Sequence, residues 1–189
     1  GKKKSAAGGS GAAGIKGCGR LLLCGLLAAA VLAAGCWQLF SNELETTFFH
    51  LYSPKVAAGE NIRVVVLSDL HNREFGLENS EIVERITALA PDLIAIAGGM
   101  GNADDGDLSI ILALCGKLVE IAPVYYSPGN HESNLMYEKD SPLESLLLEQ
   151  GVRVLVNRAE ELTIHRTSLL VGGLTTSTEG YEEYGAAFF

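Results

Sequence analysis

The spacing of apolar residues changes several times along this chain, and each change marks an element. Leu21 to Phe40 is a run of twenty residues without a charge, about the length that crosses ~30 Å of hydrocarbon as a helix. Residues 41–61 read as a connector with some extended character: Thr46 to Tyr52 is an expected edge strand, and Ala57-Ala58-Gly59 is a turn. Ile62 to Ser68 predicts a strand centred on Val64-Val65-Val66, apolar enough to be buried on both faces. A helix follows, capped by Asn79 or Ser80, with Ile82, Val83, Ile86 and Leu89 on one face and Pro91 as its stop. Leu93 to Ala97 is a second buried strand. Asp107 or Ser109 starts a second helix, with Leu108, Ile111, Leu112, Cys115, Leu118 and Val119 at helical spacing. Pro123 to Tyr126 is a third strand. Ser141-Pro142 opens a short helix through Glu149, which Gly151 ends. Val152 to Val156, Leu162 to His165 and Ser168 to Val171 read as further strands.

The order β-α-β-α-β-α-β predicts an α/β fold: a parallel sheet with helices packed on its faces. Ligands of such sheets bind beyond the carboxyl ends of the strands. The expected organisation is a disordered basic tail (1–20), an anchor or signal segment (21–40), a connector (41–61) and a catalytic-type domain (62–189).

Charge sharpens this division. Lys2, Lys3, Lys4, Lys16 and Arg20 give the first twenty residues +5 with no acid, so the remainder carries −14 of a total of −9. An acidic body argues against binding nucleic acid by phosphate neutralisation. Basic residues precede the apolar run, whereas Glu43 and Glu45 follow it and the next cation is Lys55. The positive-inside rule then predicts a single-pass membrane protein with a cytoplasmic N-terminus and an extracytoplasmic body. A second reading is a cleaved signal, because Leu32-Ala33-Ala34-Gly35-Cys36 resembles a bacterial lipobox that would lipidate Cys36. Gly1 and Ser5 also fit a myristoylation pattern, which the apolar run makes superfluous. None of the four cysteines forms a CxxC pair, which excludes a zinc knuckle or a disulfide framework. Cys115 reads as a small buried hydrophobe.

The candidate chemistry sits where the chain leaves each of the first three strands. The three loops are Asp69-Leu70-His71-Asn72, Gly98-Gly99-Met100-Gly101-Asn102 and Gly129-Asn130-His131-Glu132. Asp-x-His sets a carboxylate and an imidazole on one side of an extended chain, which suits two ligands of one divalent metal. Asn130 offers a neutral carbonyl oxygen. His131 can donate a proton to a leaving alkoxide or stabilise charge on a phosphoryl oxygen. The glycines at 99 and 101 do not extend to a dinucleotide-binding loop, because the third glycine position is Asp104. The acidic stretch from Asn102 to Asp107 lacks the glycine placement of a calcium loop.

Ser68-Asp69-Leu70-His71-Asn72 and Gly129-Asn130-His131-Glu132, each after a strand and about 60 residues apart, resemble the calcineurin-like metallophosphoesterases, in particular their bacterial membrane-anchored subgroup. The resemblance runs from about residue 46 to the C-terminus. It implies an α/β/β/α sandwich, of which this chain would hold the N-terminal part, and hydrolysis of a phosphomonoester or phosphodiester at a two-metal site of Mn, Fe or Zn. Asp69 and His71 would bind the first metal. Asn130 would bind the second and touch the phosphate, and His131 would be the general acid or transition-state stabiliser. The substrate would be a phosphorylated small molecule or lipid.

The sequence departs from the family in two places. Gly99 stands where the resemblance implies the carboxylate that bridges the metals. After His131 only His165 remains, inside an expected strand, where the family has two more histidine motifs. Metals ~3.5–4 Å apart repel, and a bridging carboxylate offsets that repulsion. Three readings follow: an impaired phosphoesterase, a relative that binds phosphate or metal without turnover, and a truncated, inactive gene product. Asp104 and Asp105 are not expected to replace the missing carboxylate.

Overall fold

In the computed structural model of the protein, residues 25–33, 35, 44–104 and 106–174 are described. The chain divides into two compact units, Gly1–Glu45 and Thr46–Phe189. In the first, residues 25–33 and 35 are helical. Among the described residues no helix is long and apolar enough to cross a membrane. Positions 21–24, 34 and 36–40 of the apolar run lie outside the described residues, as do the basic tail, Cys18, Cys24 and Cys36.

The second unit has the predicted α/β order. Four strands, β1 (Val64–Leu67), β2 (Leu93–Ile96), β3 (Val124–Tyr126) and β4 (Arg153–Val154), form one sheet in sequential order. All three pairings are parallel, with Val65 opposite Ile94, Ile94 opposite Val124 and Tyr126 opposite Val154. The crossovers carry α1 (Ser80–Leu89), α2 (Ser109–Leu118) and, after a short α3 (Asn130–Ser133) and a π-turn (Asn134–Glu138), α4 (Leu143–Glu149). Right-handed crossovers that always step the same way place their helices on one face of the sheet. In agreement, α1 packs on α2 and α2 packs on α4.

Period-2 alternation divides the strands between two faces. Ile94, Ile96, Val124, Tyr126 and Val154 point to the helices and are buried, against Ile82, Ile86, Ile111, Leu114, Cys115, Leu118 and Leu147. Burial raises the Cys115 thiol to about 12, so it is an inert core residue, as its helical spacing predicted. On the other face Leu93 and Tyr125 meet a hairpin, β5 (Arg158–Ile164) and β6 (Thr167–Gly173), through Leu155, Ile164, Leu162, Leu169 and Val171. Glu60 fastens the connector to this hairpin: its carboxylate accepts Arg166 Nε at 2.6 Å and Thr167 Oγ1 at 3.0 Å. The Arg166 hydrogen bond holds the Glu60 carboxyl below its usual range.

The structure corrects several details. β1 is not buried on both faces. It is an edge strand that the hairpin does not reach, which leaves Val64 44% and Val66 64% exposed. Thr46 to Tyr52 forms no strand, and Phe48, Phe49, Leu51 and Tyr52 are exposed. Asn79 precedes α1 in a left-handed conformation. Its buried side chain does not cap the helix but accepts the Phe75 N–H at 3.0 Å. His165 lies in the β5–β6 turn rather than inside a strand, 3.2 Å from Asp92 at the start of β2. That is the amino end of the sheet, opposite the three loops.

The two faces of the sheet predict different sensitivities. Ile94→Ala, fully buried, should lower unfolding free energy by about 2–5 kcal/mol, whereas Val66→Ala should stay within about 0.5 kcal/mol. Urea denaturation followed by far-UV circular dichroism measures both. Equal losses would show that the outer face of β1 is covered.

Candidate functional site

The sheet order brings the first three strand ends side by side. Beyond them the β1–β2 pairing continues into the loops. Asp69, His71 and Asn72 donate their N–H groups to the carbonyls of Gly98, Gly99 and Met100 at 3.1, 2.8 and 2.8 Å. The first loop is not extended as expected. Asp69, His71 and Asn72 all have positive φ, at 58°, 49° and 58°. Each such non-glycine residue costs on the order of 1 kcal/mol, and strain of this kind gathers where the surroundings must hold a side chain in place. Here it turns His71 back so that its Nε2 lies 3.8 Å from Asp69 Oδ1, with both side chains open to solvent.

Asn102 sets the chemistry of that imidazole. Its Oδ1 lies 3.1 Å from His71 Nδ1, and its Nδ2 donates to the His71 carbonyl at 3.2 Å. An oxygen can only accept, so Nδ1 carries a proton, and in the neutral ring Nε2 holds the lone pair toward Asp69. Fixing a ligand's tautomer in this way is what partners behind a metal site do. His131 is arranged the other way. Its Nδ1 accepts the Ala103 N–H at 3.0 Å, so in the neutral ring the proton sits on Nε2, ready to be donated. The two rings meet edge to face with centroids 5.0 Å apart. Asn130 is exposed at the start of α3.

Glu132 is the most deeply placed polar group. It is fully buried, and its carboxylate accepts four backbone N–H groups. Oε1 takes Met100 at 2.7 Å and Gly101 at 3.1 Å, and Oε2 takes Gly99 and Gly129 at 3.0 Å each. The Gly129 bond is the reach-back of a capping box, of which glycine can supply only this half. Beside it the Tyr126 hydroxyl is buried outside hydrogen-bond geometry, and burial together with the Glu132 charge holds the phenol well above its ordinary range.

The sequence singles out the three loops that the sheet brings side by side, but not the contacts of Asn102 or Glu132 within them. The signal for Glu132 was its position three residues after Gly129, the spacing of a capping box. Asn102 carried no signal of its own, because only the fold puts it against His71.

Gly99 stands at the position where the sequence resemblance led to the expectation of a bridging carboxylate. Its φ is 68°, and a Cβ built on it would lie 2.9 Å from Asp69 Cα and 3.0 Å from Asp69 N. The loop is thus closed around a residue without a side chain. Asp104 does not compensate: it is fully exposed and pairs with Lys139 at 3.8 Å. Asp105 lies outside the described residues. Among the described residues no group of three or more His, Cys, Asp or Glu side chains is placed to hold a metal ion. Of the side chains at the three strand ends, Asp69 and His71 are the nearest carboxylate–imidazole pair, at 3.8 Å, and no further carboxylate or imidazole among the described residues joins them as a third donor.

Gly99→Ala should destabilise the protein by about 1–3 kcal/mol, because alanine disfavours this φ and meets the Asp69 backbone. A fall in the urea midpoint with unchanged slope is the expected outcome. No change would mean that the two loops are free to separate.

No curated protein matches the chain. The sequence model of the calcineurin-like phosphoesterase family matches residues 62–186, the span that holds the sheet, the hairpin and all three loops. Members of this family are generally phosphoester hydrolases that use divalent metals. With the parallel sheet and the loops at its carboxyl edge in place, the chain belongs to the calcineurin-like phosphoesterase family.

Proposed function

We propose that this domain recognises a phosphoester at the mouth of the three loops with one divalent ion, and that its hydrolytic turnover is impaired or lost. The observation that carries this reading is the Gly99 contact. The loop where a second metal needs a shared carboxylate offers none and has no room for a Cβ beside Asp69. Asp69 and His71 would hold the ion, and a bound ion would supply positive charge to a phosphoryl oxygen. Asn130 would direct its carboxamide at the phosphate. His131, with its proton on Nε2, would donate a hydrogen bond to a phosphoryl oxygen, or a proton to a leaving alkoxide if cleavage occurs. The tautomers of both histidines support these roles. A ligand-binding relative and a slow phosphoesterase share this arrangement and differ only in turnover.

Calorimetric titration of the full chain with Mn2+ should give one site, which His71→Ala removes and Asn102→Ala weakens by roughly 10–100-fold. Bis(p-nitrophenyl) phosphate should not be turned over with Mn2+, either by this chain or by Gly99→Asp, which adds a crowded carboxylate beside Asp69. Two manganese sites with strong turnover in either protein would overturn the proposal.

We further propose that residues 21–40 tether this domain to the outer face of a bacterial membrane. The support is the uncharged run and the cations that precede it. Protease added to spheroplasts should remove the domain, whereas a protected domain would place it inside the cell.

A further inference from the structure

We propose that Glu132 is a positioning residue: its carboxylate acts as a built-in anion that fixes the loop after β2 as a template for both histidine rings. In that loop, five consecutive residues are bound by a side chain. Gly99, Met100 and Gly101 give their N–H groups to Glu132. The Asn102 side chain holds His71, and the Ala103 N–H holds His131 Nδ1. Backbone N–H groups converging on one point make an anion cradle, and this one is filled from within the chain. The same carboxylate accepts Gly129, so it also ties the template to the loop that carries Asn130 and His131.

The fit between the loops leaves no slack. A Cβ on Gly98 would meet Gly129 Cα and N at 2.5 Å, and one on Gly129 would meet Glu132 Oε2 and Gly99 N at 3.0 Å. Without the Glu132 carboxylate, three buried N–H donors and the half-buried Gly129 N–H would be left unpaired, at about 1–3 kcal/mol for each buried one. The loop must then either part or take up an anion from solution. When it parts, Asn102 and Ala103 move with it, and the two rings lose their common reference.

This inference rests on the proposed function only in regarding His71 and His131 as the working groups. Its test uses neither metal nor phosphate nor turnover, so the two can fail separately. In the full chain labelled at histidine, the nuclear Overhauser contact between the His71 and His131 rings and their 15N tautomer signature are the readouts. Glu132→Gln, which keeps the volume but turns an NH2 toward the donors, should lose the ring contact while remaining folded. Glu132→Ala should lose it as well, and formate should restore it in a saturable way. Glu132→Asp should retain it in part. Gly98→Ala keeps the carboxylate but pries the loops apart, so it should lose the contact without rescue by formate. Leu114→Ala, a buried core control within α2, should lower stability and leave the ring contact and both tautomers unchanged. A ring contact that persists in folded Glu132→Gln, or formate that raises the stability of Glu132→Ala without restoring the contact, would overturn the proposal. Leu114→Ala disturbing the rings as much as Glu132→Gln would overturn it too.

Discussion

A carboxylate taken out of water must have its charge met by hydrogen bonds, or the fold carries a penalty of several kcal/mol. Glu132 meets this demand with four backbone amides drawn from two loops, and much of the site's order depends on it. A backbone amide cannot move without its chain. A side chain that captures three successive amides therefore fixes a segment rather than a single contact. The loop after β2 is held in this way from below and laced to the first loop by the N–H groups of Asp69, His71 and Asn72. Its surface, through Asn102 and Ala103, then sets which nitrogen of each histidine carries the proton.

The sheet makes this convergence possible. Sequential parallel strands put three strand ends in a row, and a chain leaving a buried strand turns at once toward solvent. Left-handed conformations at Asp69, His71 and Asn72 take up the turn, and Gly98 and Gly99 take it up on the neighbouring loop. The cost in backbone strain is balanced by hydrogen bonds across the loops. The same contacts hold the loops and orient the two histidine rings.

Gly99 sets how closely the first two loops approach. Glycine allows the loops to close on Asp69, and closure leaves no place for a side chain. On the opposite face, the hairpin covers β2 and β3 and stops short of β1, so Val64 and Val66 remain open to solvent. The face that carries the helices is closed, while the face under the hairpin is closed only in part.

The alternation of strands and helices, the parallel sheet and the three loops that carry Asp69, His71, Asn130 and His131 were all legible in the amino-acid sequence. Those properties are local: apolar period, turn residues and the step from a strand into polar residues are visible in neighbouring positions. The rest needed the folded chain. Val64-Val65-Val66 is as apolar as a central strand, yet its place at the sheet edge exposes it, because strand order does not follow from composition. His165 was expected inside a strand, yet it lies in the hairpin turn at the far end of the sheet, beside Asp92. Asn102 and Glu132 looked like ordinary loop residues, because a tautomer or a buried charge is fixed by partners about 30 residues away in the chain, which only folding brings within hydrogen-bond reach.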